Sequence, residues 1–402
     1  MKILVLSWEF PPHVVGGLGV HVAQLVPALA RAGAEVHVVT PRWKGGANEQ
    51  VIEGTSGRAI IHRVDPPFGG MGNFFADARQ TNLNLQDYAH ALWEQVGGFD
   101  LIHVHDWLVA FAGASLKRLH KIPLVATIHA TERGRGRGNL ENEIAQAING
   151  AEWWLAYEAW RVICTSRYMV GEVMNYFQIP SDKIEIVPNG VDTSPFDALD
   201  GQDLSEFRAR WTMPEERLVF NVGRLVYEKG AHLIVEAAPS VLAQMPQAKF
   251  VIAGTGGLSE QLHNRVRELG IAHKVNIAGF ITDQDRDCLL RIADVAVYPS
   301  LYEPFGIVAL EAMAAHCPVI VSSVGGLGEV VQLHETGITV YPNDAASLAW
   351  GILHTLQHPD WSRARAENAY RLVQTEYNWR RVAEMTLHVY ARVIQERASV
   401  DW

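Results

Sequence analysis

The 402-residue sequence contains little cysteine and no closely spaced cysteine pair. Its three cysteines, Cys164, Cys288 and Cys317, are far apart, so neither a disulfide framework nor a cysteine-based zinc site is expected. Isolated cysteines in apolar surroundings are typical of buried free thiols. Because free thiols persist in reducing compartments, we expect a cytoplasmic protein.

Long apolar runs are also absent, and none approaches the roughly 20 residues that a membrane-spanning helix needs. The apolar start, Ile3–Trp8, is followed at once by Glu9 and by no small-residue cleavage site, which predicts a strand rather than a signal peptide. The net charge of −10 argues against nucleic acid or an anionic membrane as the main partner. We therefore expect no integral membrane segment and no nucleic-acid partner.

The sequence does contain a repeated alternation of short apolar runs and longer helical patterns, interrupted by a polar stretch after Pro188. Most of the runs are continuously apolar, as in parallel strands covered on both faces. This pattern predicts an α/β fold with two parallel-sheet halves in series. The predicted strands are Ile3–Trp8, Val36–Thr40, Leu101–Val104, Leu124–Ile128, Val162–Thr165, Ile184–Val187, Leu218–Val222, Phe250–Ala253, Val275–Ala278, Val295–Tyr298, Val319–Ser322 and Ile338–Val340.

Polar and glycine-rich segments follow these strands, at the sheet ends where parallel α/β proteins bind their ligands. The loop Gly16–Gly19 opens a helix, so its amides could approach a phosphate, although a glycine pair alone favours a tight turn. The loop Gly254–Gly257 has Ser259 where a dinucleotide fingerprint needs its last glycine, which argues against a Rossmann dehydrogenase. In the second half, Arg224 and Lys229 either clamp a diphosphate or lie in a solvated loop that pairs with Glu228, and both alternatives remain open.

A single acid stands out in the otherwise apolar segment 306–315. Burying the carboxylate of Glu311 there is costly unless it forms an ion pair or reaches a ligand. The preceding residues form a helix entry, so the amides of Phe305, Gly306 and Ile307 could cradle a phosphate, with Glu303 at the rim. The simpler interpretations are a structural ion pair for Glu311 and an exposed loop acid for Glu303.

Histidines and arginines near the strand ends are weaker signals. A lone histidine such as His129 is more often a core residue than a catalyst, and His103 with His105 lacks a third ligand of clear spacing, so we expect no zinc site. Arg133 belongs to the glycine-rich loop 131–138, which either grips a ligand or is mobile and solvated, and the second interpretation is favoured.

The sequence nevertheless resembles the GT-B retaining glycosyltransferases of family four, close to the glycogen and starch synthase branch. The matching segments span almost the whole chain in the expected order, and the Glu-x7-Glu segment is specific in this context. They are GGLG at Gly16–Gly19, HDW at His105–Trp107, TIH at Thr127–His129, TSRYM at Thr165–Met169, PNGVD at 188–192, GRLVYEKG at 223–230 and EPFGIVALE at Glu303–Glu311.

The resemblance implies two Rossmann-like domains that face a central cleft: an acceptor-side domain of residues 1–193, joined by a final helix of residues 378–402, and a donor domain of residues 194–377. It implies as catalytic residues His129, Arg224, Lys229 and Glu303. It implies as donor-binding residues Gly16, Gly17, Arg224, Lys229, Gly254, Glu303, Phe305, Gly306, Ile307 and Glu311. His105, Asp106 and Arg133 are implied on the acceptor side.

By the same resemblance, Gly17 contacts the donor phosphate, Arg224 and Lys229 neutralise the leaving diphosphate, and His129 lies beside the transferred sugar. We expect transfer of α-glucose from ADP- or UDP-glucose to an α-glucan with retention, with the nucleotide sugar as co-substrate and neither cofactor nor metal. The alternative is a related retaining transferase that acts on a small sugar, a sugar phosphate or a lipid-linked acceptor. Val14 and Val20 stand where synthases carry a lysine and an acid. The donor base, the acceptor and the oligomeric state stay open.

Overall fold

The computed structural model describes residues 1–67, 70 and 72–400, and its backbone divides into two compact units. One unit contains Met1–Asn189 and Trp379–Trp402, and the other contains Gly190–Asn378. The chain passes from the first unit to the second after residue 189, four residues before the predicted boundary at 193. It returns to the first unit after residue 378, one residue beyond the predicted boundary at 377. The reason is local pairing, because the amide of Val191 donates to the carbonyl of Tyr377 (2.8 Å) and ties the first crossing into the second unit.

The first unit is built on an eight-stranded sheet of order β3-β4-β2-β1-β5-β6-β7-β8. Every neighbouring pair is parallel except β3 and β4, which are antiparallel. The strands are β1 (Lys2–Leu6), β2 (Glu35–Pro41), β3 (Glu49–Glu53), β4 (Arg58–Val64), β5 (Leu101–His105), β6 (Leu124–Ile128), β7 (Arg161–Cys164) and β8 (Ile184–Ile186). All six strands predicted for this half are present, while the β3–β4 hairpin is an addition that makes the sheet mixed.

Helices cover both faces of this sheet. They are α1 (Gly17–Arg31), α2 (Phe74–Val96), α3 (Ala110–His120), α4 (Glu132–Arg135), α5 (Glu143–Glu158), α6 (Arg167–Phe177) and the final helix α16 (Trp379–Ala398). The final helix packs beside α1 and buries Val382, Val389 and Tyr390 in the same core as the apolar face of α1. Its apolar stripe, visible in the sequence, is thus buried within the first unit.

The second unit has a six-stranded, wholly parallel sheet of order β11-β10-β9-β12-β13-β14. Its strands are β9 (Arg217–Val222), β10 (Ala248–Ala253), β11 (Val275–Gly279), β12 (Val295–Tyr298), β13 (Val319–Ser322) and β14 (Ile338–Val340). Its helices are α7 (Ser194–Asp197), α8 (Ser205–Ala209), α9 (Ala231–Gln244), α10 (Ser259–Glu268), α11 (Asp283–Ile292), α12 (Ile307–Ala314), α13 (Leu327–Val330), α14 (Ala345–Gln357) and α15 (Pro359–Glu376). All six predicted strands of this half are present.

Both sheets reverse their strand order in the middle, between β1 and β5 in the first unit and between β9 and β12 in the second. Such switch points leave an open crevice at the carboxyl ends of the strands, where ligands bind. The three cysteines are buried free thiols, as predicted. Within the described part of the chain, no helix combines the length and apolar character needed to cross a membrane.

Candidate functional site

The glycine loop after β1 is held by a buried acid, Glu9. One carboxylate oxygen of Glu9 accepts hydrogen bonds from the amides of Val15 (2.7 Å) and Gly16 (3.2 Å). A side chain at Gly19 would place its Cβ 2.5 Å from that oxygen and 3.0 Å from the Cβ of Glu9, so it would displace the Glu9 side chain. The Gly16 amide is therefore occupied. Gly17 begins α1, where first-turn amides have no partner inside the helix.

Three histidines meet at the switch point of the first sheet. His105 ends β5 and its Nδ1 lies 3.1 Å from Nε2 of His129, which follows β6. His21 on α1 packs against both rings, with centroid distances of 5.4 Å to His105 and 4.7 Å to His129. His103 lies outside this set, because its ring nitrogens bond to the hydroxyls of Tyr390 and Thr127. The third histidine that the sequence spacing lacked is therefore supplied by α1.

Burial keeps these imidazoles neutral. Desolvation, followed by the charge of His129, lowers the pKa of His21 to about 3. Desolvation and the positive charge of Arg135 lower the pKa of His129 to about 3 as well. The pKa of His105 is lowered well below its usual value by burial and by the neighbouring rings. At neutral pH the cluster thus offers hydrogen-bonding nitrogens and lone pairs rather than positive charge.

Asp106 fixes the segment that carries His129. Its carboxylate accepts the His129 amide at 2.7 Å, and its own backbone has a φ of +59°, a conformation that non-glycine residues rarely adopt. Burial raises the pKa of Asp106 to about 6. His105 and Asp106 are both buried. In this structure both residues position His129, and their implied acceptor-side role stays a prediction.

The arginine- and glycine-rich segment 131–138 contains the short helix α4 and makes defined contacts with its neighbours. The Thr131 hydroxyl accepts the amide of Gly134 (2.9 Å) and caps α4. The guanidinium of Arg133 lies 5.4 Å from the ring centroid of Tyr176. The amide of Glu132 donates to both carboxylate oxygens of the buried Glu152, at 2.9 and 3.0 Å. A buried acid on α5 thereby anchors the segment.

Glu152 should make the stability of the protein pH-dependent. Burial raises its pKa from 4.5 to about 8, so between these values the folded protein keeps a proton that the unfolded chain has released. The free energy of unfolding should therefore fall as the pH rises through this window. Glu152→Gln should match the parent at pH 4, below both pKa values, and exceed its stability by at least about 1 kcal/mol at pH 8.5, since one pKa unit corresponds to about 1.4 kcal/mol. Urea unfolding at both pH values measures this.

The matched control is Glu141→Gln, which removes an exposed acid just before α5. Its stability should follow the parent at both pH values. Equal pH profiles for the parent and Glu152→Gln would show that Glu152 is ionised in the folded protein, contrary to this prediction.

In the second unit, two loops at the switch point place a cation against an acid. Lys229, after β9, has its Nζ 2.6 Å from Oε2 of Glu303, after β12. Their side chains are 26% and 11% exposed, so the pair is shielded from solvent but not fully buried. Arg224 lies 3.6 Å from Glu228 and is more than half exposed. Of the two cations, Arg224 therefore forms the ion pair with Glu228 that was one of the two alternatives, whereas Lys229 pairs with Glu303.

Glycines let the loops of this unit pack backbone against backbone. Gly254 has a φ of +136°, and a Cβ there would lie 1.7 Å from the carbonyl oxygen of Gly223. Gly230 has a φ of +71°, and its Cβ would lie 1.9 Å from the carbonyl oxygen of Pro299. The loops after β9, β10 and β12 are therefore held close together at the strand ends.

The helix entry predicted at Phe305–Ile307 is present. Gly306, with a φ of +107°, precedes α12, and a Cβ at this position would lie 2.5 Å from Leu327. In the first turn of α12 the amide of Ala309 donates to the carbonyl of Gly306 (3.0 Å), and the helix dipole favours negative charge near the amides that precede it. This end of α12 follows Glu303 by only a few residues, so the helix N-terminus and the Lys229–Glu303 pair belong to the same loop.

Glu311, one turn into α12, forms the ion pair that its position requires. A carboxylate oxygen lies 3.6 Å from the Arg286 guanidinium, and the Glu311 side chain is 14% exposed. Burial raises the pKa of Glu311, while Arg286 opposes the rise. Arg286 also pairs with Asp287 at 2.7 Å. Arg286 could not be recognised as the partner of Glu311 from the sequence, because it lies on a different helix, α11.

Comparison with known proteins assigns this architecture. The profile of Glycosyltransferase Family 4 matches residues 15–195, and that of Glycosyl transferases group 1 matches residues 205–372. A glycosyltransferase of Methanocaldococcus jannaschii is 38% identical over 97% of this chain and 98% of its own length. The glycogen synthase of Mycobacterium tuberculosis is 35% identical over 97% of this chain and 94% of its own.

Solved structures agree with the sequence relatives. The sucrose-phosphate synthase of Thermosynechococcus elongatus is 27% identical, with a TM-score of 0.81 over 98% of this chain and 99% of its own. Sequence and fold are thus shared over both units and nearly from end to end.

Proposed function

Because this chain is a GT-B glycosyltransferase of family four, in the branch of the glycogen and starch synthases, we propose that it transfers α-glucose from ADP- or UDP-glucose to an α-glucan. The observation that carries the proposal is the Lys229–Glu303 pair at the switch point of the second sheet, next to the free end of α12. One cation and a helix N-terminus suit a diphosphate, and the neighbouring carboxylate suits sugar hydroxyls.

Charge stabilisation of the leaving nucleotide is the main task of the second unit in this proposal. As the bond between the anomeric carbon and the diphosphate breaks, negative charge accumulates on the phosphate oxygens. Lys229, the exposed Arg224 and the first amides of α12 are placed to receive that charge. Glu303 would accept hydrogen bonds from the transferred sugar, and Glu311 from the ribose. The tight loop at Gly254 lets a backbone lie close to the donor.

The first unit supplies the remaining proposed contacts. Gly17 would offer its amide to the donor phosphate, and His129 would lie beside the anomeric carbon, where a carbonyl or neutral imidazole stabilises developing positive charge. Asp106 holds the His129 backbone in place for this task. We also propose that the α configuration is retained, because the acceptor hydroxyl attacks the anomeric carbon from the same face that the nucleotide leaves. The buried free thiols are in keeping with a cytoplasmic enzyme.

A second candidate acceptor is a sugar phosphate. The similarity to a sucrose-phosphate synthase over both units favours it. Arg133, partly exposed on α4, is a cation that could contact an acceptor phosphate. This candidate shares the donor, the catalytic residues and the stereochemistry with the first, and differs only in the acceptor.

A donor and acceptor screen tests both candidates. The purified chain is incubated with ADP-, UDP- or GDP-glucose and with maltose, glycogen, glucose 6-phosphate or fructose 6-phosphate, and the products are identified by mass and by anomeric proton NMR. We expect α-linked glucose added to maltose and glycogen. Transfer to the sugar phosphates alone would select the second candidate, and a β-linked product would refute retention.

Chelation should not lower the transferase activity. Lys229 and Arg224 supply positive charge where other glycosyltransferases need a divalent ion, so no metal is required for the leaving group. After EDTA treatment and desalting, we expect initial rates at or above those of the untreated enzyme. A loss of activity that added Mg²⁺ or Mn²⁺ restores would contradict this prediction.

A further inference from the structure

The histidine cluster of the first unit has a geometry that the proposed transfer reaction does not require. One ring nitrogen from each of His21, His105 and His129 lies within 4.8 Å of those of the other two. The three side chains come from α1, β5 and the segment after β6, which the switch point brings together. We propose that this cluster binds one Zn²⁺ ion through the three imidazoles.

Distances between the rings fit a shared ion. Two nitrogen ligands of a tetrahedral zinc ion, each about 2.0–2.1 Å from the metal, lie about 3.4 Å apart. His105 Nδ1 and His129 Nε2 are already 3.1 Å apart. His21 also has a ring nitrogen within 4.8 Å of a ring nitrogen of each of the other two histidines. Small side-chain rotations therefore convert the cluster into a three-histidine site.

Hydrogen bonding around the cluster also suits a metal. Nδ1 of His21 lies 2.5 Å from Oδ1 of Asn189. Because Nδ1 is used in this contact, Nε2 of His21 is the nitrogen that would bind the metal. Metal-binding imidazoles usually donate their second N–H to such an oxygen, which fixes the ring orientation. His105 Nε2 is buried without a hydrogen-bond partner among the described residues. The three rings thus do not form the fully satisfied network that a purely structural cluster would form.

The cluster is open on one side. His21 and His105 are buried, whereas His129 is partly exposed. An ion can enter past His129, and three protein ligands leave a fourth position for water or for a sugar oxygen. Zinc would then hold the His129 imidazole. Because the proposed function places His129 beside the transferred sugar, we expect the bound ion to inhibit transfer, and this consequence rests on the proposed function.

Cobalt provides a readout that is independent of catalysis. The full chain, without a histidine tag and stripped with EDTA, is titrated with Co²⁺ and followed by visible absorption. We expect one equivalent to give the strong bands of tetrahedral coordination, and Zn²⁺ to displace it. His21→Gln and His105→Ala should each abolish the bands. Asn189→Ala should keep the stoichiometry but weaken binding by about 10–100-fold.

The matched control removes a surface histidine pair of the second unit. His354 and His358 are four residues apart, a spacing that can itself bind metals, and their double alanine variant should retain the cobalt bands. Absence of tetrahedral bands in the parent would overturn the site, as would bands that persist in a folded His21→Gln or His105→Ala variant. Circular dichroism identifies any variant that does not fold. If one of the two histidine variants is unfolded, the cobalt spectrum of the other tests the site.

Activity assays separate the ion site from its proposed consequence. Zn²⁺ should lower the rate of glucose transfer by at least 10-fold at one equivalent, and EDTA should restore it. Zinc that binds without inhibition would overturn the inhibitory role alone. A parent enzyme without any transferase activity would refute the proposed function, while the cobalt titration would still decide whether the histidines bind metal.

Discussion

Lys229→Ala should lower kcat for glucose transfer by about 10²–10³-fold while the protein stays folded. Removing one preorganised group that stabilises transition-state charge costs about 2.7–4 kcal/mol of barrier. The Lys229 ammonium is held by Glu303 at 2.6 Å and is only 26% exposed, so it is placed before the donor binds. Its charge acts mainly as the diphosphate leaves, so we expect a smaller change in KM than in kcat. Steady-state kinetics with the donor identified by the screen measure both.

Lys249→Ala is the matched control, because it removes a partly exposed lysine of the same unit whose ammonium donates to the His273 carbonyl. Its kcat should stay within about twofold of the parent. The double variant Lys229→Ala, Glu303→Gln should show a smaller fold-loss of kcat than the product of the two single fold-losses. The reason is that each single change already disrupts the same ion pair. Normal turnover in a folded Lys229→Ala protein would remove Lys229 from the mechanism.

The sheets could be predicted because their central strands are buried on both faces. A run such as Leu124–Ile128 has no polar alternation, and this is what makes it visible in the sequence. β3 has the opposite character, since four of its five residues are exposed, and it pairs only with β4 at the sheet edge. An exposed edge strand has no apolar run, so the hairpin could not be recognised.

Of the candidate site, only the residues that follow a predicted strand could be identified from the sequence. Lys229 and Glu303 each follow a predicted strand, but their contact depends on β9 and β12 being neighbours, which strand order alone decides. His21 was missed because it lies within a helix, among apolar residues that pack in the core. Arg286 was missed for a similar reason, since nothing in its own helix indicates Glu311. Long-range pairing leaves no local pattern in the sequence.

Gly254→Ala should destabilise the second unit by about 2–6 kcal/mol and abolish donor binding. A residue with a side chain has no low-energy conformation at a φ of +136°, and such strain costs about 1–3 kcal/mol. The added Cβ would also lie 1.7 Å from the carbonyl oxygen of Gly223, so the loops after β9 and β10 must separate, at about 1–3 kcal/mol for overpacking. Thermal unfolding and calorimetric titration with ADP- and UDP-glucose measure the two effects.

Gly257→Ala tests whether the effect comes from the backbone geometry rather than from any change in this loop. Gly257 lies three residues further on, is exposed, has no positive φ, and a Cβ there would have nothing within 4 Å. Alanine at such a position should be neutral or stabilise by up to about 1 kcal/mol, because it restricts the unfolded chain. If both variants melt and bind alike, the contact between Gly254 and Gly223 does not hold the loops together, and the β10 loop has no part in shaping the donor site.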